Sequence, residues 1–119
     1  METRLGMVES RFADLVWEYA PLSTRQLVEI CAQELNWKRT TTYTVLKKLC
    51  ERGIFQMNNS MITVLICKED FRAMQGEQFV ERVFQGSLPA FITAFTTRKR
   101  PTAEEIAEIK NLLEAFEEE

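Results

Sequence analysis

Threonine, tyrosine and lysine side chains are concentrated between Trp37 and Phe55. The stripe of one α-helical face, with spacing i, i+3, i+4, i+7 and i+8, is formed there by Thr42, Val45, Leu46, Leu49 and Cys50. The opposite side and its flanks carry Thr40, Thr41, Tyr43, Thr44, Lys47 and Lys48. Hydroxyl groups can reach phosphates or base edges, and lysines neutralise phosphate charge. The pattern indicates either a helix that binds in the major groove of DNA or an ordinary surface helix with a solvated polar face.

Three glutamates, Glu104, Glu105 and Glu108, lie close together on a predicted helix and are the only candidates for acid–base chemistry. Catalytic carboxylates are perturbed by burial or by a neighbouring charge, and no cleft is predicted around these three. A solvated face with acids near a helix N-terminus explains them better. The chain has no histidine, and its three cysteines are far apart. We therefore expect no enzymatic activity, no metal site and no cofactor.

The length and composition are those of a small globular protein. With 119 residues, of which 45% are hydrophobic, the chain can form one domain or one domain with a helical extension. No run approaches the roughly 18 apolar residues of a membrane span, and the N-terminus lacks a signal sequence. We expect a cytoplasmic protein, without membrane insertion, in which Cys31, Cys50 and Cys67 are buried free thiols.

The net charge of −3 conceals an uneven distribution. Between Lys38 and Arg52, five basic residues occur with Glu51 as the only acid, whereas residues 102–119 contain seven glutamates and one lysine. A basic patch on an otherwise acidic chain can bind DNA locally, and the acidic end is then expected to point away from it.

The order of elements predicts a winged helix. An apolar stripe from Val8 to Tyr19 indicates a first helix, and the capping-box spacing of Ser23 and Gln26 begins a second. The Thr40–Arg52 helix follows after a short turn and ends before Gly53. Two β-forming runs flank Asn58–Ser60, residues that tolerate positive φ. This hairpin would be the wing.

Three further amphipathic helices are predicted after the hairpin, more than a winged-helix core requires. We expect them to pack against a second copy of the chain; the alternative is a monomer whose tail folds back on the core. The fold class expected is mainly α with a small β-hairpin, with a winged-helix DNA-binding domain at 1–68 and a helical dimerisation domain at 69–119. The dimerisation residues would be Phe91, Ile92, Phe95, Ile106, Ile109, Leu113 and Phe116.

The chain resembles the penicillinase-repressor (BlaI/MecI/CopY) family of bacterial winged-helix regulators over nearly its whole length. The resemblance is carried by Glu9 with FADLVW at 12–17, LSTRQL at 22–27, WKRTTTYTVLKKL at 37–49, ERGI at 51–54, FQGS at 84–87 and the helix at 102–113. It implies a homodimeric repressor that binds a pseudo-palindromic operator. By position, the same six residues from Thr40 to Lys48 would face the groove, with Lys47 and Lys48 mainly on phosphates.

Three features depart from the pattern of that family. The wing of family members is usually basic, whereas Met57–Met61 is uncharged, so we expect lower affinity and a shallower salt dependence. Ala94-Phe95 stands where members inactivated by a sensor protease have Asn–Phe, which makes control by such a protease doubtful. The chain ends in glutamates rather than a cysteine-rich tail, which argues against copper sensing.

A winged helix can also serve as a protein-interaction module with little affinity for DNA. The neutral wing, with Met57 and Met61, and the acidic balance favour this alternative.

Overall fold

The computed structural model describes all 119 residues, as six helices and a three-stranded antiparallel sheet. The elements are α1 (Met7–Tyr19), β1 (Leu22–Ser23), α2 (Thr24–Leu35), α3 (Arg39–Glu51), β2 (Phe55–Asn58), β3 (Met61–Val64), α4 (Lys68–Phe84), α5 (Leu88–Arg98) and α6 (Ala103–Glu117). This architecture confirms the α+β winged-helix fold. None of the helices has the length and apolar composition needed to cross a lipid bilayer.

The chain forms two compact units, Met1–Gln78 and Phe79–Glu119. The boundary lies inside α4, so about three turns of that helix belong to the first unit. The division of the chain into functional domains at 1–68 and 69–119 stays a proposal.

Local signals set the ends of α2 and α3. The Ser23 hydroxyl accepts a hydrogen bond from the Gln26 backbone N–H at 3.1 Å, and the Gln26 side chain accepts one from the Ser23 N–H at 2.8 Å. This reciprocal pair satisfies two N–H groups that have no partner inside the helix. Asn36, at φ 55°, ends α2, and Gly53, at φ 80°, follows α3, where the left-handed conformation favours glycine.

The core of the first unit is formed by large apolar side chains from α1, α2, α3, the sheet and the start of α4. Its fully buried members include Phe12, Val16, Leu27, Leu46, Leu49, Ile54, Phe55, Ile62 and Phe71. Each contributes about 1.5–3 kcal/mol relative to an exposed side chain. The apolar stripe predicted for α1 was too long, because Val8 and Tyr19 at the ends of the helix are exposed. Ala13, in the middle of the helix, is buried.

Trp17 closes this core from the side. Its ring centroid lies 5.5 Å from those of both Phe55 and Phe71, and its Nε1–H donates to the Ile66 carbonyl at 3.0 Å. The contact with Phe71 fixes the start of α4 on the winged-helix core.

The wing is a hairpin with a two-residue turn. β2 and β3 pair from Phe55–Val64 to Asn58–Met61, and Asn59 and Ser60 both have positive φ, as a type I′ turn requires. The sequence placed the turn one residue too early, because Asn58 is paired. It also did not predict β1, whose two residues pair with Met61 and Ile62 and make β3 the central strand.

The second unit contains the end of α4, α5 and α6. Ser87 caps α5 by accepting from the Ala90 N–H at 3.1 Å, and Thr102 and Glu105 form a capping box at the start of α6. Phe84 and Phe91 meet at 5.5 Å between ring centroids, and each also lies near Phe79. No residue of this unit is fully buried.

Candidate nucleic-acid interface

The polar side of α3 is accessible in the folded chain. Thr42, Leu46 and Leu49 are buried on its opposite side, which fixes the rotation of the helix. The six candidate residues are brought together as follows: Thr40, Thr41, Thr44, Lys47 and Lys48 are exposed, and Tyr43 is half-buried. The structure therefore presents one continuous surface of hydroxyls, a phenol and cations.

The threonine hydroxyls on this surface are not equivalent. Thr44 Oγ1 donates to the Thr40 carbonyl at 2.8 Å, so its proton is already used and the oxygen remains only as an acceptor. The hydroxyls of Thr40 and Thr41 make no hydrogen bond within the protein. These two are the threonines that can donate to a phosphate or a base edge.

The two candidate lysines also differ. Lys48 Nζ lies 3.0 Å from Glu9 Oε2 on α1, and the Glu9 side chain is only 22% exposed. This ion pair is the main cause that lowers the pKa of the Glu9 carboxyl, with a smaller contribution from the N–H of Gly6. Lys47 has no carboxylate partner. Lys47 is thus the free cation, whereas Lys48 would have to leave or share Glu9 to bind a phosphate.

Arg39 is a candidate that the sequence prediction missed. Its guanidinium carbon lies 5.4 Å from the centroid of the Tyr43 ring, and no carboxylate pairs with it. The two residues are separated by four positions on α3, a spacing at which side chains meet on a helix surface. That spacing is the signal that could have identified the pair. Stacking on the ring holds the guanidinium at the first turn of the helix, beside Thr40.

The wing contributes no charge to this surface. Asn58, Asn59 and Ser60 are exposed at the tip, and Met57 and Met61 are 49% and 41% exposed. Met57 faces α3 across an open groove of about 530 Å³, whose lining residues are Tyr43, Leu46, Lys47, Cys50, Glu51 and Met57. The groove between helix and wing is therefore mainly apolar, with Lys47 and Glu51 as its two charged lining residues.

The cysteine thiols contribute no charge to this surface. Cys31 is buried and Cys50 half-buried, and burial raises the pKa of both thiols. The expectation that all three are buried is wrong for Cys67, which is exposed and lies in the connection just before α4. No group of three or more cysteine, aspartate or glutamate side chains is arranged to hold a metal ion.

Comparison with known proteins decides the family. The sequence model described as "Penicillinase repressor" matches residues 5–115. The chain belongs to the penicillinase repressor family. It is 21% identical to a penicillinase repressor of Bacillus licheniformis over 115 residues, which are 93% of this chain and 90% of the relative. It is 20% identical to the methicillin resistance regulatory protein MecI of Staphylococcus aureus (strain Mu50), over 92% of each chain.

The match to the penicillinase repressor family spans both compact units, α3 and the wing as well as α5 and α6. This confirms the resemblance inferred from the sequence. The members of the family are transcriptional repressors. The low identity means that individual contact residues have to be argued from this chain's own surface.

The second unit of this penicillinase repressor family member carries the residues predicted for dimerisation. Phe91 is half-buried beside Phe84. The other six are exposed, namely Ile92, Phe95, Ile106, Ile109, Leu113 and Phe116. A groove of about 240 Å³ between α5 and α6, with Phe91, Phe95 and Ile109 among its lining residues, is predominantly apolar. An exposed apolar surface of this kind on two helices is typical of a subunit interface.

Proposed function

We propose that this protein is a transcriptional repressor that binds a pseudo-palindromic DNA operator as a homodimer, with α3 in the major groove. The observation that carries the proposal is the exposed side of α3. There, the hydroxyls of Thr40 and Thr41 and the cation of Lys47 have no partner in the protein. Groups of this kind lose little when they exchange water for DNA, because no internal contact has to be broken.

Each residue of this surface has a proposed role. Lys47 neutralises a phosphate, and the free N–H groups at the start of α3 favour a second phosphate, because Lys38 provides no side-chain cap there. Thr40, Thr41 and Tyr43 donate to phosphates or base edges, whereas Thr44 accepts only. Lys48 contributes to the positive potential, but its charge is balanced by Glu9.

The homodimer is proposed from the second unit. Exposed leucine, isoleucine and phenylalanine side chains repeat along α6 at positions that share a face, and α5 adds Ile92 and Phe95. A two-fold dimer would cover this surface and present two copies of α3 to two half-sites of an operator. We place the protein in the cytoplasm, where it meets DNA, and Ala94-Phe95 argues against control by a sensor protease.

The uncharged wing predicts how the affinity for DNA depends on salt. The wing neutralises no phosphate, so affinity comes from α3 and the slope of log K against log salt is shallow. Each phosphate contact contributes about 0.9 to that slope on duplex DNA. Specificity then depends on base-edge contacts rather than on a large electrostatic term.

The test is fluorescence-anisotropy binding to DNA from upstream of the protein's own gene, compared with scrambled DNA over a salt series. We expect specific binding of two chains per site. Lys47→Ala should weaken binding to all DNA and reduce the salt slope by about one unit per half-site. Lys110→Ala, which removes an exposed and unpaired lysine from α6, is the matched control. A wild-type slope in Lys47→Ala would show that DNA binds elsewhere.

A protein-interaction module remains the second candidate, and the exposed Met57 and Met61 on a charge-free hairpin favour it. In that case the protein would bind no DNA even at low salt. It would instead form a stable complex with a protein partner that is lost in a Met57→Gln/Met61→Gln variant. DNA binding by that variant at the wild-type affinity, together with DNA binding by the wild type, would support the repressor instead.

A further inference from the structure

The N-terminal segment Met1–Gly6 is bonded to α4 through Met1 and Thr3. Thr3 is only 1% exposed, and its Oγ1 donates to Gln78 Oε1 at 2.7 Å. Gln75 Nε2 donates to the Thr3 carbonyl at 3.0 Å, and Gln78 Nε2 donates to the Met1 carbonyl. A threonine buried this completely, with its hydroxyl and its carbonyl both satisfied by one helix, is part of a built contact.

The same segment is also bonded to the C-terminal end of α3. Arg52 Nη1 donates to the Arg4 carbonyl at 2.8 Å. At the other end of the segment, the Gly6 N–H donates to Glu9, which is paired with Lys48 of α3. Residues 1–6 therefore join the proposed recognition helix to α4 by hydrogen bonds on both sides.

The contacts on α4 lie on one face. Phe71, Gln75 and Gln78 are spaced i, i+4 and i+7, so they point in nearly the same direction from the helix. Phe71 is buried in the core, whereas Gln75 and Gln78 are held by hydrogen bonds to the N-terminal segment. The first compact unit ends at Gln78, which is the last of these three residues.

We propose that Thr3, Gln75 and Gln78 are positioning residues for operator recognition, which hold α4 against the DNA-binding unit as far as Gln78 and thereby set the spacing between half-sites that the dimer accepts. This rests on the proposed function, a dimer bound to two half-sites. The connection between the DNA-binding unit and the dimerisation unit runs through α4. Its length and stiffness decide which separations of two α3 helices are accessible without strain.

Loss of these hydrogen bonds has a defined consequence. α4 would then be anchored only near its start, by Phe71 and by the ion pair of Lys68 with Asp14 of α1 at 3.1 Å. Its next two turns would be free to move, which lengthens the connection between the units. Once one half-site is bound, a longer and looser connection lowers the effective concentration of the second DNA-binding unit at a half-site of the best spacing. It raises that concentration at half-sites of other spacings. Binding to a single half-site should not change, because α3 and its exposed surface are untouched.

The experiment compares the full-length wild type with Gln75→Leu and Gln78→Leu, and with the double variant, which removes all three hydrogen bonds between α4 and residues 1–3. Each is titrated with operators whose spacer is shortened or lengthened by two base pairs, and with a single half-site. We expect the preference for the best spacing to fall by roughly fivefold or more in the variants, with unchanged half-site affinity. Glu77→Gln, on an exposed side of α4 without a partner, is the matched control and should keep the wild-type preference.

Comparing DNAs of different spacing distinguishes a loss of positioning from a loss of folded protein. A variant with less folded protein loses the same fraction of binding on every DNA, so the ratio between spacings does not change. Wild-type spacing preference in the double variant would overturn the proposal. Hydrogen exchange of the amides at 74–78 gives a second measurement that needs no DNA, and unchanged protection there in the double variant would also overturn it. Failure of the wild type to bind any DNA would instead contradict the proposed function.

Discussion

Lys48 of α3 and Glu9 of α1 form an ion pair of 3.0 Å. One of the two lysines that the sequence assigned to phosphate binding is therefore neutralised inside the free protein. The pair also connects α3 to the turn before α1, because the second carboxylate oxygen of Glu9 accepts from the Gly6 N–H at 3.2 Å. A contact of this kind contributes to the fold and, under the proposed function, competes with binding of Lys48 to a phosphate.

Removing the Glu9 charge should therefore strengthen DNA binding. In Glu9→Gln the amide oxygen can still accept from Gly6, while Lys48 becomes available to a phosphate. We expect higher affinity for all DNA and a salt slope steeper by up to about one unit per half-site. Lys48→Ala added to Glu9→Gln should abolish the gain. A salt slope identical to that of wild type in Glu9→Gln would show that Lys48 does not approach the DNA.

The same substitution should lower stability in a pH-dependent way. The pKa of Glu9 in the folded chain lies below its ordinary value of 4.5, so the ion pair stabilises the fold above that value and the stabilisation is lost as the pH falls through the lowered pKa. At neutral pH we expect Glu9→Gln to cost about 0.5–1 kcal/mol, as for other partly exposed pairs. Urea unfolding of both proteins at neutral and strongly acidic pH checks this. A difference that persists unchanged in acid would exclude the ion pair as its cause.

Arg39 should recognise one guanine base in each half-site of the operator. A guanidinium stacked on Tyr43 at the start of α3 can donate two hydrogen bonds to guanine O6 and N7, which is worth about 1–3 kcal/mol of discrimination. Each operator guanine is replaced in turn by 7-deazaguanine, which lacks N7. At one position per half-site this should weaken the wild type but not Arg39→Gln. Inosine, which keeps O6 and N7, is the control base and should leave binding unchanged.

The ring of Tyr43 should matter for this discrimination more than its hydroxyl. Tyr43→Phe retains the face on which Arg39 stacks, whereas Tyr43→Leu removes it. We expect Tyr43→Leu to lose the discrimination between guanine and 7-deazaguanine and Tyr43→Phe to keep it. Equal loss in both variants would assign the effect to the hydroxyl.

A charge on the exposed face of α6 should dissociate the dimer. In Leu113→Glu, dimerisation would bury an unpaired carboxylate, so we expect monomers in sedimentation equilibrium at concentrations where the wild type is dimeric. Operator affinity should fall towards that of a single half-site. Glu108→Gln, also exposed on α6, serves as the control. A dimer in Leu113→Glu as stable as that of wild type would place the interface elsewhere.

The features that the sequence predicted correctly have local causes. The cap at Ser23, the stop at Gly53 and the hairpin, whose turn was placed to within one residue, each depend on residues within a few positions of one another. The rotation of α3 followed from its apolar spacing, so the placement of Thr40 and Lys47 on an exposed side could be predicted as well.

The features that were missed depend on contacts between distant parts of the chain. Thr3 and Gln78 are 75 positions apart, and nothing near either residue indicates their hydrogen bond. The partner of Lys48 lies on another helix, so periodicity alone could not distinguish it from Lys47. β1 is two residues long and contains the cap of α2, which left no pattern of its own.

The packing of Trp17 against Phe55 and Phe71 has a practical consequence for unfolding experiments. Both tryptophans and both tyrosines of the chain lie in the first unit, and the aromatic residues of the second unit are all phenylalanines. Tryptophan emission therefore follows the winged-helix unit alone, whereas far-ultraviolet circular dichroism follows the helices of both units. Unfolding curves that coincide by the two methods would show that the units melt together, and curves that separate would give the stability of each without any engineered label.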